Sequence, residues 1–260
     1  MEFIIICLVA FGASALTLFS GFGLGTILTP VLVLFFPVPI AVAATAVVHF
    51  ANNLFKLALV GATANKPIVF RFGLPAVAAA FLGAAFLNFV SDIPALASYT
   101  LGDRIHDITA VKLVIGFLIV FFALLEFIPI FSELSFDRKY LPFGGVLSGF
   151  FGGLSGNQGA FRSIFLVKSG LSKEEFIGTN IVLAVMVDIA RIFVYGKSFS
   201  APQSSFWDHY GWLVVAASVS AFLGAFLGNK MVKKVTLKTV QTIVTIMLFV
   251  LGLALATGVI

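Results

Sequence analysis

The sequence is poor in charge. Asp, Glu, Lys and Arg make up 10% of its 260 residues, whereas 60% are hydrophobic. Because soluble domains carry about 25% charged residues, a soluble globule of this size would have too few charges to cover its surface. The composition therefore argues against a soluble enzyme, a nucleic-acid-binding protein and a disordered regulator. The net charge of +5 comes from basic residues between apolar runs, which is typical of membrane topology.

Cysteine and histidine are also scarce. Cys7 is the single cysteine, which excludes a disulfide, a thiolate metal site or an iron–sulfur cluster within one chain. His49, His106 and His209 lack the spacing of metal ligands. The sequence also lacks a phosphate-binding loop and a convincing nucleophile–histidine–acid spacing. We therefore expect no metal, no cofactor and no enzymatic activity.

A cleavable signal peptide is not expected, because Glu2 replaces a basic start and the apolar run does not stop. No Asp, Glu, Lys or Arg occurs from Phe3 to Phe55, a stretch far longer than the ~20 residues that span a bilayer. The pattern predicts an all-α, multi-pass membrane protein, since helices satisfy their own backbone groups in lipid. We expect about eight hydrophobic segments. The first covers residues 3–36, the second begins after Pro37 and Pro39 and reaches about residue 60, and the others cover about residues 70–90, 109–131, 141–167, 172–196, 210–229 and 237–260.

The chain also repeats internally. Matched positions in the same order predict two halves, residues 1–135 and 136–260, each a broken segment followed by three plainer ones. The alternative is chance similarity among Gly-rich apolar helices. The halves are parallel if every segment crosses, and they can be inverted if the broken segments double back. The matches are Gly25 with Gly159, Thr29 with Ser163, Thr45 with Thr179, and Phe81–Ala84 with Phe222–Ala225.

The basic residues give a provisional orientation. If every segment crosses once, the larger basic set lies on one side, which would be cytoplasmic. That set is Lys168, Lys173, Lys230, Lys233, Lys234 and Lys238 together with Arg104 and Lys112. The assignment fails if the first or fifth segment re-enters. Residues 103–107 look like a solvated loop.

The first broken stretch has alternating glycines, Gly21, Gly23 and Gly25, followed by Pro30. Such a sequence disfavours a regular helix. A helix restarting after Gly25 would direct its N-terminal N–H groups into a cavity and attract anions. The alternative is that the glycines allow close helix packing. The substrate-binding candidates here are Gly23, Gly25, Thr26 and Thr29.

The second broken stretch is more polar. Ser155, Asn157 and Gln158 precede Gly159, and they should face the protein interior. Arg162 follows within one helical turn, and an arginine inside a membrane segment is a functional candidate whose guanidinium matches an oxyanion. The alternative for Arg162 is snorkelling to an interface. The first half has Leu28 at the matching position.

Two further helices carry polar residues. Asp188 and Arg191 are spaced to pair on one helix face. They are candidates for proton coupling or gating, and the alternative is a local neutralising pair. His49, Asn52, Asn53 and Lys56 form a polar stripe at helical spacing. Asn52 and Asn180 are expected to contact substrate or to join helices, and His49 and Lys56 to take part in coupling. The repeat predicts that Lys56 lies at nearly the same depth as Asp188. Alternatively, His49 is a hydrogen-bonded core histidine and Lys56 snorkels at the helix end.

The combined motifs resemble the TauE/SafE family of bacterial membrane permeases over essentially the whole chain. They are the Gly-rich break before residues 30–32, Ala43-Ala44-Thr45, the glycine-rich stretch 149–156, and Gly178-Thr179-Asn180. The chain departs from the usual glycine triplets at Gly23-Leu24-Gly25 and Asn157-Gln158-Gly159.

The resemblance implies an inner-membrane exporter of sulfite or of small organosulfonates such as sulfoacetate. Its partners would be a small anion and the lipid bilayer, with no nucleic acid. Energy would come from a gradient, with protons through Asp188 or His49. The Gly83 and Gly224 regions would pack within one chain or form a homodimer face. The alternatives are a metal-ion transporter with Asp188, His49, Asn52 and Asn157 as ligands, and a non-transporting membrane scaffold.

Overall fold

The structure is a computed structural model that describes residues 2–17, 23–128, 134–199, 206–231 and 237–260. Within these ranges the chain is mainly helical, with one pair of short strands and two single 3-10 turns, Gly61–Thr63 and Arg138–Tyr140. The elements in chain order are α1 (Glu2–Thr17), α2 (Leu24–Val33), α3 (Val38–Val60), α4 (Lys66–Ser91), β1 (Ala97–Leu101), β2 (Arg104–Ile108), α5 (Ala110–Phe127), α6 (Leu141–Ser155), α7 (Gly159–Leu166), α8 (Lys173–Phe199), α9 (Phe206–Met231) and α10 (Leu237–Ala256).

Four of the described helices are long and apolar enough to cross a membrane. They contain Val38–Ala58, Lys66–Ser91, Lys173–Gly196 and Tyr210–Leu227. Shorter apolar helices lie between them, and large apolar side chains such as Trp212 and Phe193 are exposed on the outside. Since exposed apolar surface on this scale suits lipid, the fold agrees with the expected multi-pass membrane protein.

Helix ends follow local sequence signals. Pro39 lies in the first turn of α3 and Gly61 follows its last residue, as expected for these residue types. A capping box also forms before α8, where Ser172 N donates to Glu175 Oε2 at 3.0 Å and Glu175 N donates to Ser172 Oγ at 3.2 Å. The side chain of Asn65 accepts from Ile68 N at the start of α4.

The two ends of the helical bundle are marked by different contacts. At one end, which we call the cap face, the α3–α4 connection meets the start of α8. Thr63 Oγ1 donates to the Glu174 carbonyl and Asn65 N donates to Thr179 Oγ1, both at 2.9 Å. At the other end, the ribbon face, the strands meet the end of α10, where the Tyr99 hydroxyl donates to a main-chain carbonyl at 2.9 Å.

The glycines of α6 show its direction. Gly145 packs on the backbone of Phe72, and Gly153 packs on the backbone of Ala80. The residue numbers rise together along both helices, so α6 runs parallel to α4, away from the cap face. Glycine allows this approach because a Cβ at either position would collide with main-chain atoms of α4.

Helix α7 then returns to the cap face. Gly152 of α6 lies against Gln158, and Gly144 lies against the ring of Phe165. The order is antiparallel, and the backbone N–H of Phe136, which precedes α6, donates to the Ile164 carbonyl at 3.3 Å. The fifth predicted segment is therefore a helical hairpin and does not cross the bundle.

Helix α9 runs from the ribbon face to the cap face, like α3. The Phe36 ring, which precedes α3, packs edge-on against Tyr210 near the start of α9, with ring centroids 5.1 Å apart. Further along, Phe55 of α3 stacks on Phe222 of α9, with centroids 5.4 Å apart. Since α3 ends at the cap face, both helices begin at the ribbon face.

Helix α1 runs parallel to α9. Phe11 packs against Gly224, and one turn earlier Cys7 lines the same apolar groove as Ser220. Helix α1 therefore leads away from the ribbon face, and α2 leads back to it before α3 begins. The first predicted segment is also a helical hairpin, whose turn, including the predicted residues Gly21 and Phe22, lies outside the described residues.

These paths correct the expected eight crossings. Over the described residues, α3, α4, α5, α8, α9 and α10 each join the two faces, whereas α1–α2 and α6–α7 double back from opposite faces. The expectation was wrong because a short glycine-rich connection permits either a kink or a reversal, and the packing of the flanking helices decides between them.

The reversal also corrects the sorting of basic residues. Counting eight crossings puts Lys168 beside Arg104 and Lys112. In the structure, Lys168 follows α7 at the cap face, whereas Arg104 and Lys112 lie at the ribbon face. The described basic side chains at the cap face are Lys66, Arg71, Arg138, Lys139, Lys168 and Lys173. The side chains of Lys230, Lys233, Lys234 and Lys238 lie outside the described part.

The loop expected at residues 103–107 is instead part of a β-hairpin, so the fold is not purely α-helical. Strands β1 and β2 pair antiparallel, with Ala97 opposite Ile108. The turn is tight because Gly102 adopts φ +63°, a conformation that glycine adopts readily. The Ser98 hydroxyl also donates to Asp107 Oδ1 at 2.7 Å across the strands.

Helix contacts between the two predicted halves recur in reciprocal pairs. Helix α4 packs on α6, and α9 packs on α1; α4 packs on α8, and α9 packs on α3. Helices α3 and α8 contact each other, as do α5 and α10. The Gly83 and Gly224 regions pack against the backbones of α6 and α1 within this chain, and so they supply intramolecular contacts.

Candidate functional site

The two helix breaks meet inside the bundle. A methyl group placed on Gly25, in the first turn of α2, would lie 3.3 Å from the Gly156 carbonyl oxygen and 3.7 Å from Thr45 Cγ2. All three residues are buried. Helix α2 begins at Leu24 with Gly23 as its N-cap, so the helix restarts slightly earlier than expected. The start of α2 thus meets the turn between α6 and α7, and this contact, which we call the turn crossing, brings together the two Gly-rich stretches.

The second turn is closed by a left-handed glycine. Gly156 adopts φ +83°, and its N–H donates to the Gly152 carbonyl at 2.9 Å, which caps α6. Asn157 and Gln158 follow, both buried, and α7 begins at Gly159. The predicted break is therefore present, and the polar residues expected to face the interior do so.

Arg162 is held by neutral amides. Its Nε donates to Asn180 Oδ1 at 2.6 Å, and its Nη1 donates to Gln158 Oε1 at 3.1 Å. The side chain is about 9% exposed, so it does not snorkel to an interface. Among the described residues, therefore, no carboxylate forms a hydrogen bond with the positively charged guanidinium group of Arg162.

Asp188 lies at the centre of a buried ionic cluster between α3 and α8. Its Oδ1 accepts from Arg191 Nε at 2.9 Å, and Arg191 Nη2 lies 2.8 Å from the same oxygen. Its Oδ2 lies 2.7 Å from His49 Nδ1 and accepts from Asn53 Nδ2 at 3.3 Å. Asp188 and Arg191 are both 0% exposed. The pair expected from the spacing therefore forms, and it contacts a second helix.

His49, and not Lys56, is the residue opposite Asp188. The comparison of depths between the halves suggests Lys56, but the structure places it two helical turns nearer the cap face, half-buried. The difference arises because α3 and α8 pack against each other. Which side chains meet depends on the rotation of each helix about its axis, and not on the sequence offset that aligns the two halves.

Arg191 also faces the second turn. Its Nη1 would lie 2.6 Å from a methyl group on Gly156, and this nitrogen has no hydrogen-bond partner among the described residues. One turn further along α8, the Tyr195 hydroxyl donates to the Gly153 carbonyl. Helix α8 therefore joins the ionic cluster to the end of α6.

Several other buried polar atoms have no partner within the described ranges. An unmade hydrogen bond at a buried polar atom costs about 1–3 kcal/mol. A polar ligand or water would relieve that cost. Asn52 has one partner, Ser14 of α1, whose hydroxyl donates to its Oδ1 at 3.2 Å. Those on the hairpins and on α3 are Thr29 Oγ1, Thr45 Oγ1, Asn52 Nδ2, Asn157 Oδ1 and Gln158 Nε2.

The site is enclosed in this conformation. Its charged side chains and its amides, apart from the half-buried Asn180, are all nearly inaccessible. Thr26, Thr29 and Ser155 are buried on the same hairpins, where Ser155 Oγ donates to the Phe151 carbonyl at 3.1 Å.

The site also contains residues that were not among the sequence-based candidates. Asn53 was named in the polar stripe but given no role, and it bonds to Asp188. Tyr195 and Ser148 bind the second hairpin, where the Ser148 hydroxyl donates to the Gln158 carbonyl at 3.0 Å. Tyr195 follows Asp188 and Arg191 at helical spacing, a pattern that could have identified it.

The cluster is a poor site for a bound metal ion. Among the described residues no group of three or more His, Cys, Asp and Glu side chains could hold one. The carboxylate of Asp188 already has a guanidinium as its counter-ion. Arginine beside a carboxylate opposes the approach of a second cation.

Comparison with known proteins places the chain in a family. A family model described as Sulfite exporter TauE/SafE matches residues 6–255 of the chain. No curated protein and no solved structure matches it.

Proposed function

The chain belongs to the sulfite exporter TauE/SafE family, and on this premise we propose that it exports small oxyanions across the bacterial inner membrane. Sulfite or an organosulfonate such as sulfoacetate is the expected substrate. The family and the apolar helices agree on a multi-pass membrane transporter of the sulfite and sulfonate type. The turn crossing supports an anion as the transported species.

The observation that carries this proposal is an imbalance of buried charge. Two buried arginines, Arg162 and Arg191, lie at the turn crossing. Among the described residues, a single carboxylate, that of Asp188, lies there with them. A buried charge without a counter-charge is strongly unfavourable. A small anion bound between the turns would compensate the second guanidinium.

We propose that the anion lies between the starts of α2 and α7. Both helices begin at the crossing, and their N-terminal N–H groups carry partial positive charge. Arg162 supplies the full charge, and the side chains on the turns supply hydrogen bonds. The proposed substrate-binding residues are Gly23, Gly25, Thr26, Thr29, Asn52, Ser155, Asn157, Gln158, Gly159, Arg162 and Asn180.

We further propose that residues 1–135 and 136–260 are inverted repeats. The reciprocal helix contacts and the hairpins entering from opposite faces support this arrangement. In such transporters, the substrate binds at the repeat interface near the midplane, and one repeat moves against the other. The contact of Gly25 from one proposed repeat with Gly156 from the other supports such a position for the turn crossing.

Proton coupling is part of the proposal. His49 and Asp188 are hydrogen-bonded in a water-poor site, and histidine titrates in the physiological range. A proton taken up there would change the charge beside Arg191. We expect His49 and Asp188 to carry the proton, and Lys56 and Arg191 to respond to it.

The test is anion flux into proteoliposomes that contain the purified protein. The anions are sulfite, sulfoacetate, sulfate and chloride, with and without a pH gradient. Arg162→Ala is compared with Arg104→Ala, which removes an exposed arginine from the ribbon face. We expect saturable sulfite or sulfoacetate flux that Arg162→Ala abolishes and Arg104→Ala retains.

Three outcomes would contradict the proposal. Unchanged flux in folded Arg162→Ala would remove Arg162 from the site. Saturable flux of a divalent metal ion with no anion flux would favour the metal-ion alternative. No flux of any ion through folded protein would favour a membrane scaffold.

A further inference from the structure

The charge at the turn crossing can be counted from its hydrogen bonds. Arg162 and Arg191 each carry a positive charge, and Asp188 carries a negative charge because both its oxygens accept hydrogen bonds. Among the described residues, the other titratable side chains near this cluster are His49, Lys56 and Tyr195. The net charge of the site depends on these three groups.

His49 is neutral in this arrangement. A carboxylate oxygen only accepts hydrogen bonds, so the proton between His49 and Asp188 lies on Nδ1. The amide nitrogen of Asn53 lies 3.0 Å from His49 Nδ1 and 3.3 Å from Nε2, so it packs against the ring and adds no charge. At about pH 8 an ordinary histidine carries one ring proton, so Nε2 is then the accepting nitrogen. An imidazole with one protonated and one accepting nitrogen carries no charge.

Lys56 and Tyr195 do not alter the count. Tyr195 donates its hydroxyl hydrogen to the Gly153 carbonyl, so it is the neutral phenol. Lys56 is half-buried and lies two helical turns from His49 towards the cap face, so we count it apart from the side chains that contact Asp188. Glu174 and Glu175 are acidic residues at the cap face itself, so they do not enter the charge count at the turn crossing.

We propose that the turn crossing selects monoanions, because the two buried arginines and Asp188 leave one positive charge for the substrate to neutralise. This inference rests on the proposed function and specifies its substrate class: sulfonates and hydrogensulfite in preference to sulfate and the sulfite dianion. A monoanion leaves the loaded site neutral. A dianion leaves one uncompensated negative charge in a site that excludes water, and this is strongly unfavourable.

Asp188 sets this preference without touching the anion. Its Oδ1 pairs with Nε and Nη2 of Arg191. The third guanidinium nitrogen of Arg191, Nη1, points at the second turn. Replacement by asparagine keeps a similar shape but removes the negative charge. The site would then present two positive charges, and its preference would shift towards dianions. Asp188 is thus a specificity-determining residue that acts through Arg191.

The proposal can be tested with two sulfur oxyanions of fixed charge. Methanesulfonate is a monoanion and sulfate a dianion at neutral and alkaline pH, and both present oxygens on a tetrahedral sulfur. Initial fluxes into proteoliposomes are measured without a pH gradient at about pH 8, where an ordinary histidine is neutral. The proteins are wild type, Asp188→Asn, and Asp103→Asn as a control that removes an exposed carboxylate at the ribbon face.

We expect the wild type to favour methanesulfonate over sulfate by at least about tenfold, a ratio equivalent to 1.4 kcal/mol. Asp188→Asn should lower this ratio by a similar factor, whereas Asp103→Asn should leave it unchanged. A ratio is informative here because a merely structural defect would lower both fluxes together.

Two results would overturn the inference. One is equal wild-type flux of sulfate and methanesulfonate, which decides the matter even where Asp188→Asn does not fold. The other is an unchanged ratio in folded Asp188→Asn. Both differ from failure of the proposed function itself, in which the wild type carries neither anion.

Discussion

At the residue scale, Gly156 combines two constraints in one position. Its φ of +83° favours glycine, and Arg191 Nη1 occupies the space that a side chain would need. The turn, the buried guanidinium and the contact with Gly25 therefore depend on the absence of a Cβ. A single methyl group here tests how tightly the two hairpins and the ionic cluster are fitted together.

We expect Gly156→Ala to destabilise the protein by about 2–4 kcal/mol, from left-handed strain and from overpacking against Arg191. Gly170→Ala is the matched control, since Gly170 has φ +75° but nothing within 4 Å of its added Cβ; it should lose only about 1–2 kcal/mol. Thermal unfolding in detergent measures both. Equal losses would show that Arg191 does not occupy this space.

The second residue-scale prediction concerns His49. His49→Asn keeps an N–H donor near Asp188 Oδ2 but removes the titratable ring. If the proton is carried at this pair, the ratio of anion flux with a pH gradient to flux without one should fall to one. The measurement is the proteoliposome assay, with His106→Asn at the ribbon face as the control. A ratio that still responds to the gradient in folded His49→Asn would assign the proton to another group.

At the element scale, the two hairpins differ in how they are held. Helix α6 presents Gly145, Gly149 and Gly153 to the backbone of α4 at one-turn intervals, whereas Gly12 of α1 has open space beside it. Small residues let helix backbones approach closely in membranes. The α6–α7 hairpin is therefore docked more closely against its neighbour than α1 is at Gly12.

This difference predicts opposite effects for the same substitution. Gly149→Ala places a Cβ within 2.6 Å of Ala76 Cα, and main-chain atoms cannot move aside, so we expect a loss of about 2 kcal/mol or more. Gly12→Ala should be neutral or stabilising, by up to about 1 kcal/mol, because alanine favours helix. Thermal unfolding in detergent compares them. A neutral Gly149→Ala would mean that α4 and α6 are further apart.

At the scale of the whole molecule, the hairpins decide which charges share a side of the membrane. The described basic side chains lie mostly at the cap face, and the ribbon face carries Arg104 and Lys112 beside Asp92, Asp103 and Asp107. Cytoplasmic segments are enriched in Lys and Arg. We therefore expect the cap face in the cytoplasm and the β-hairpin outside.

Cysteine labelling tests this orientation. In a Cys7→Ser background, Asp103→Cys should react with a membrane-impermeant maleimide in intact cells, and Lys168→Cys only after permeabilisation. Both positions are exposed. Eight full crossings would put the two cysteines on the same side, so equal labelling under both conditions would contradict the hairpin topology.

Much of the local structure was predictable. Pro39, Gly61 and the Ser172–Glu175 box mark helix ends through contacts within a few residues, and the Gly-rich stretches mark both breaks. The Asp188–Arg191 pair follows from helical spacing. The β-hairpin was not predicted. Its turn depends on Gly102 and its pairing on contacts between the strands, such as Ser98 with Asp107, and a short segment with several charged residues does not by itself indicate a strand.

The sequence alone determined that the chain is helical and embedded in lipid, that two of its segments are interrupted by glycines, and that Arg162 and Arg191 lie within apolar segments. The tertiary structure decided that the interrupted segments reverse, that Gly25 meets Gly156, and that His49 rather than Lys56 faces Asp188. The reason is physical. Helix propensity and burial act over a few neighbouring residues, whereas the direction and rotation of a helix are set by the surfaces it packs against.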